Sequence, residues 1–121
     1  KDVANLAFQL GKIQERLGNR PEALEAYRLC RKHDASQVEN LLALGRLLAA
    51  ENQNDEALKV LQALLLQQDK LAPPDVADLF LRLTEICLAL GDDKRAKQYV
   101  NRLLRLAPDH PRGTEIRNEL R

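Results

Sequence analysis

Aromatic residues make up only 3% of this 121-residue chain, and glycine and proline supply five residues each. A chain so poor in aromatics and in turn-forming residues argues against strands and favours helices. Cys30 and Cys87 are the two cysteines, and they lie 57 residues apart. They form no metal-ligand cluster and do not suggest a disulfide-stapled secreted scaffold. A reducing, cytoplasmic location fits, and the bacterial periplasm stays open. No signal peptide is visible, and no apolar run reaches the ~18 residues of a membrane span, so no insertion into a membrane is expected. Charge of one sign does not dominate either. Residues 1–37 hold seven basic and five acidic groups, 38–76 three and six, and 77–121 nine and seven. The resulting +2, −3 and +2 make no broad field, which weakens any case for nucleic-acid or anionic-membrane binding.

Catalytic groups are equally sparse. His33 and His110 are the two histidines, and neither has a cysteine or carboxylate at a spacing that makes a triad or a metal site. There is no glycine-rich phosphate loop. The chain is therefore read as non-enzymatic, with no cofactor and no metal. Cys30 and Cys87 read as small core hydrophobes rather than nucleophiles. The sequence starts at Lys1 rather than Met and stops at Arg121 in mid-pattern, so it reads as a piece of a longer protein.

What is present is a repeat. Leu10-Gly11 returns as Leu44-Gly45, 34 residues on, and Ala23 returns as Ala57. A third copy follows 39 residues later, with Leu83-Thr84 and Ala96. A period of this length, holding two helical patterns per copy, is the mark of a helix-turn-helix solenoid. In the first copy Leu6, Leu10, Ile13 and Leu17 form an apolar stripe at helical spacing and are expected to face inward. Gly18-Asn19 ends that helix, and Pro21 opens the next, whose inner face is Ala23, Leu24, Tyr27 and Cys30. The second copy places Leu41, Leu44, Leu47 and Leu48 inward on a helix from Val38 to Glu51. A partner helix follows with Ala57, Leu58, Leu61, Leu64 and Leu65. The third runs from Pro74 or Asp75 to Leu90 and then from Lys94 to Leu106, burying Ala96, Val100, Leu103 and Leu104.

Gly11 and Gly45 sit mid-helix, where glycine costs roughly 0.5–1 kcal/mol relative to alanine. Close backbone packing is the best reason for accepting that cost twice, one period apart. The five extra residues before the third copy fall around Gln67–Pro74. The helix ending near Leu65 is expected to run on through Gln68, followed by a loop stopped by proline. Pro111–Arg121 reads as a further helix, with Ile116 and Leu120 apolar, that covers the end of the third copy.

These residues resemble the tetratricopeptide repeat. The first copy shows Leu10, Gly11, Gly18, Ala23 and Tyr27, with Ala7 in the place of the family's bulky first residue and Ala35 in that of its proline. The second shows Leu41, Leu44, Gly45 and Ala57, with Leu61 in the aromatic place, Leu64 in the small one and Asp69 in the proline one. The third shows Phe80, Leu83, Gly91, Ala96 and Pro108, with Thr84 for the glycine. The resemblance implies an all-α, right-handed superhelical solenoid of antiparallel helix hairpins. It would form one domain over 1–121, with units near 4–37, 38–76 and 77–110 and a capping or further helix over 111–121.

It also implies a concave groove lined by the first helix of each unit. The register places Asn5, Phe8, Lys12, Glu15 and Arg16 there from the first unit, and Glu39, Leu42, Arg46, Ala49 and Ala50 from the second. Asp78, Leu81, Glu85, Leu88 and Ala89 come from the third. Phe8, Leu42 and Leu81 are equivalent and make an apolar row, not obviously needed by the hairpin core; Lys12 and Arg46 are equivalent and basic, and Glu85 reverses the sign. The implied function is a scaffold that holds a peptide or helix of a protein partner with apolar anchors and an acidic group. The competing occupant of the row is the protein itself, as neighbouring helices or as a second copy in a homo-oligomer. RNA binding rests on the local basicity of the third unit and is disfavoured by acidic neighbours and by the lack of exposed aromatics. Some members of the family clamp a terminal carboxylate with Lys, Asn, Asn, Lys and Arg. Here Phe8, Lys12, Ala43 and Asp78 stand in the first four places and only Arg82 matches, so that activity is not expected.

Overall fold

The computed structural model describes residues 2–121, and every α or 3-10 element among them is helical. In order these are α1 (Asp2–Arg16), α2 (Arg20–His33), α3 (Val38–Ala50), α4 (Asn54–Leu65), a 3-10 turn (Gln68–Lys70), α5 (Pro73–Ala89), α6 (Asp93–Leu106) and α7 (Pro111–Glu119). The helices form hairpins and divide into two compact units, Lys1–Leu64 and Leu65–Arg121.

In the first unit, Gly18 closes α1 at φ 82°, and Asn52 takes the same left-handed conformation after α3 at φ 61°. Only glycine and, next best, asparagine occupy that region without large strain. Pro21 lies in the first turn of α2, where its missing N–H leaves no bond unmade. The two helices approach closely because Gly11 has no side chain; a Cβ there would overlap the ring of Tyr27. Gly45 does the same for α3 and α4, whose Leu61 occupies the space. Ala23 and Ala57, from the facing helices, are fully buried. Leu41, Leu44, Leu47 and Leu48 are buried as expected, each contributing roughly 1.5–3 kcal/mol.

The apolar stripe of α1 is a correction. The buried residues of α1 are Ala4, Ala7, Phe8 and Gly11, whereas Leu6, Leu10, Ile13 and Leu17 are exposed by 71%, 48%, 50% and 68%. The surface that meets α2 is the small-residue row, not the leucine row.

In the second unit, Ala72 is extended and Pro73 opens α5, as the restriction on residues before proline requires. The expected extension of α4 through Gln68 does not occur: the helix ends at Leu65, and the extra residues form the 3-10 turn instead. None of the turn's residues is buried, so prolonging the helix would gain no apolar contact. Leu58 and Leu65 are only half-buried, and Val60 joins the core in their stead. Thr84, in the place of the repeat's glycine, is buried and donates its hydroxyl to the Phe80 carbonyl at 2.7 Å. Asp92 caps α6 through the Arg95 N–H at 3.0 Å. His110 caps α7, its Nδ1 accepting the Gly113 N–H at 3.0 Å. Ile116 of α7 packs with Val100 and Leu104 of α6, and the half-buried Leu81, Leu88 and Leu120 join them. Gly113 meets Leu103 and Leu104 methyl groups 3.1 Å from where a Cβ would stand, a third close approach that the repeat pattern does not announce. Among the described residues no helix is long and apolar enough to cross a membrane.

Candidate functional site

The first unit contains a cavity of about 550 Å³ between α1 and α3, backed by α2. Its wall combines Phe8, Lys12, Glu15 and Arg16 of α1 with Glu39, Leu42, Ala43 and Arg46 of α3, and Tyr27 of α2 lies behind them. The α1 residues arrive together because positions 8, 12 and 16 fall one helical turn apart on one face. The same spacing gathers 39, 42, 43 and 46 on α3.

Seven of the sequence-derived groove residues therefore share one cavity: Phe8, Lys12, Glu15, Arg16, Glu39, Leu42 and Arg46. Asn5 is exposed on α1 and is not part of its wall. Phe8 departs from expectation in one respect. It is 6% exposed, its ring centroid lies 6.0 Å from that of Tyr27, and Lys12 Nζ sits 5.3 Å above its face. Phe8 is thus both core and cavity floor, while half-buried Leu42 keeps surface available.

The site's polar frame is a relay from the core to the rim. Tyr27, 1% exposed, donates its hydroxyl to Glu15 Oε1 at 2.7 Å. Glu15 in turn accepts both bonds of Arg46 Nη2, at 3.0 and 2.8 Å. Burial, then the Glu15 hydrogen bond and charge, hold the Tyr27 phenol far above its ordinary range. Neutral Tyr27 is therefore a fixed donor that aims Glu15, and Glu15 fixes the reach of Arg46 across from α1 to α3. Lys12 and Arg16 are exposed on the rim. The arrangement offers an apolar floor, a rigid cation and two adaptable ones, against the carboxylates of Glu15 and Glu39.

Tyr27 and Ala43 escaped the sequence reading as wall residues. The signal for Tyr27 was there: an aromatic on α2 opposite a glycine on α1 must reach past it towards the far side.

Asp78, Leu81 and Glu85 lie on α5, in the second unit. Asp78 accepts from Arg82 Nε at 2.8 Å one turn on. Glu85 stands 3.7 Å from Arg112 of α7, and Leu81 packs against the Val100–Leu104–Ile116 cluster. In this unit the equivalent face is engaged by α7. A separate cleft of about 490 Å³ runs along α6 beside Tyr99, Arg102 and Arg105; the Arg102 guanidinium lies 4.6 Å above the Phe80 ring.

Two further polar links tie the hairpins of the first unit together. Arg20 of α2 meets Glu51 at 2.8 Å, and Arg28 grips Glu56 of α4 with two bonds of 2.9 and 2.7 Å. That fork lowers the Glu56 carboxyl below its ordinary range. Cys30 and Cys87 are free and buried, and burial raises both thiols. Among the described residues no group of three or more His, Cys, Asp or Glu is placed to hold a metal ion.

A tetratricopeptide repeat family model matches residues 42–111, and a second tetratricopeptide repeat model matches residues 6–35. No curated protein matches the sequence significantly. Among solved structures, the MamA protein superposes with a TM-score of 0.84 at 17% identity, over 98% of this chain and 62% of that one. PilF of Pseudomonas aeruginosa superposes at 0.76 with 24% identity, over 97% and 51%. The first TPR of Spaghetti (RPAP3), bound to the HSP90 peptide SRMEEVD, superposes at 0.77 with 15% identity, over 98% and 90%. The chain thus spans about half to two thirds of MamA and PilF, and identities this low bear on fold alone. With the matched models covering most of the sequence and the helix hairpins in place, the chain belongs to the tetratricopeptide repeat family.

Proposed function

We propose that this chain is a non-catalytic scaffold that binds a peptide or helical segment of a protein partner in the cavity between α1 and α3. One observation carries the reading: seven groove residues assigned by register converge on a single cavity with an apolar floor and a cationic rim. An apolar side chain of the partner would sit on Phe8 and Leu42. An acidic group beside it would meet Lys12 and Arg16, with Arg46 held ready by Glu15. The anchor supplies most of the affinity, and the charges supply register and on-rate. That the same fold holds a peptide in the Spaghetti structure supports the class of ligand, and the side chains of this cavity suit an apolar and acidic one.

The test is selection of binders from a random peptide display library. The expected consensus has a large apolar residue within a few positions of Asp or Glu. Lys12→Glu/Arg16→Glu should weaken the selected peptides by at least about tenfold, and added salt should narrow that difference. Peptides without acidic residues, indifferent to the double substitution, would refute the proposal. Leu42→Glu is the second variant, since Phe8 is too buried to replace without disturbing the fold.

A further inference from the structure

Charge is sorted along the cavity between α1 and α3. Phe8 of α1 and Leu42 of α3 are equivalent in the repeat, and one turn further on so are Lys12 and Arg46. Glu39 stands about one turn before Leu42, in the first turn of α3, and Arg16 one turn beyond Lys12, in the last turn of α1. Successive helices of these hairpins are antiparallel, so α1 and α3 run in the same direction. The Glu15–Arg46 pair joins their later halves accordingly. Since all of these side chains line the one cavity, its length carries a carboxylate at one end, an apolar floor in the middle and cations at the other.

The two carboxylates of the wall have different duties. Glu15 accepts from the Tyr27 hydroxyl and from Arg46 and so is engaged within the wall. Glu39 is exposed in the cavity wall. The cation of its own helix, Arg46, lies about two turns away and is bound to Glu15. Asn5, the counterpart of Glu39 on α1, carries no charge. The negative end of the cavity therefore faces whatever enters it.

We propose that the partner segment is dipolar, with a basic residue facing Glu39, an apolar anchor on Phe8 and Leu42, and an acidic residue facing Lys12 and Arg16. This rests on the peptide reading above and adds the order of the charges to it. Arg46 is seven residues beyond Glu39, a rise of about 10 Å along α3. An extended peptide covers that distance in about three residues and a helical one in about two turns. The opposite charges of the partner bracket its anchor at that spacing. Turned end for end, the same segment would set its acid against Glu39 and its base against the cations. Like-charge contact at both ends rejects that orientation, so the cavity holds its partner in one direction.

The test takes a library-selected peptide whose binding depends on Lys12 and Arg16, and places Lys, Ala or Glu on the side of its anchor opposite the acid. Fluorescence anisotropy should rank the affinities for wild type as Lys over Ala over Glu, with about three- to tenfold between the extremes. Glu39→Lys should reverse that order and Glu39→Gln should flatten it, while circular dichroism stays helical because this side chain is exposed. Equal binding of the three peptides by wild type, an order unchanged by Glu39→Lys, or a selected consensus with acids on both sides of the anchor would overturn the proposal and leave the cavity reading standing. A library that yields no peptide dependent on Lys12 and Arg16 would overturn the cavity reading, and this proposal with it.

Discussion

The ring of Tyr27 occupies the space that a side chain at Gly11 would need. This single exchange, an aromatic on α2 for an absence on α1, brings the Tyr27 hydroxyl through to Glu15 and shapes the back of the cavity. It also separates the glycines by consequence.

Gly11→Ala would gain helix propensity but drive a Cβ into a ring that is 1% exposed and hydrogen-bonded. Overpacking of this kind costs about 1–3 kcal/mol, against about 1 kcal/mol gained from the glycine. A net loss of up to about 2 kcal/mol in urea denaturation is expected from that difference. Gly113→Ala meets leucine methyl groups at 3.1 Å, which yield more readily, and the His110 Cβ at an ordinary 3.5 Å, and should fall within about 0.5 kcal/mol of wild type. Equal losses at the two sites would contradict the packing described.

Tyr27→Phe keeps the ring and deletes the donor to Glu15. The expected cost is about 1 kcal/mol, the usual size for one lost hydrogen bond. Arg46 would then be less firmly held, so affinity for an acidic peptide should fall by about two- to fivefold, read by fluorescence anisotropy. Unchanged affinity together with unchanged stability would remove Glu15 as the positioning group.

Much of this was legible in the sequence, and the exceptions share a physical cause. The repeat placed each hairpin, and register gathered Lys12, Leu42 and Arg46 before any coordinates did. Periodicity also found the Leu6–Leu17 stripe, but a stripe says which face is apolar and not which helix covers it. The small residues Ala4, Ala7 and Gly11 mark the true contact with α2, because only they allow the approach. Likewise the end of α4 carries no glycine or proline signal. It stops at Leu65 because the following residues have no core to enter. Leu81 shows the limit of equivalence: it matches Leu42 in the repeat, yet α7 contributes Ile116 to its surroundings.

The Arg28–Glu56 pair gives a signed pH dependence. Hydrogen bonding to Arg28 lowers the folded-state pKa of Glu56 below its unfolded value. Its contribution to stability is therefore present above the ordinary glutamate pKa of about 4.3 and is lost as pH falls through the lower folded value. Both side chains are more than a third exposed, so solvent screening holds the effect to about 0.2–1 kcal/mol. Wild type and Glu56→Gln, denatured in urea at neutral pH and again at about pH 3, should differ by less at the second than at the first. A constant difference would assign the effect to packing.

Cys30 and Cys87 are 0% exposed, and burial raises both thiols. Reaction with a thiol-specific disulfide reagent at neutral pH should be slow in the folded chain and complete on unfolding. Rapid modification of either under native conditions would show that its helix opens far more often than this packing allows.

The most direct test of peptide binding between α1 and α3 is amide chemical-shift mapping of the isotope-labelled chain with a selected acidic–apolar peptide. The largest changes are expected around Phe8, Lys12, Arg16, Leu42 and Arg46. Changes centred instead on the basic cleft of α6, with those five residues unmoved, would contradict it.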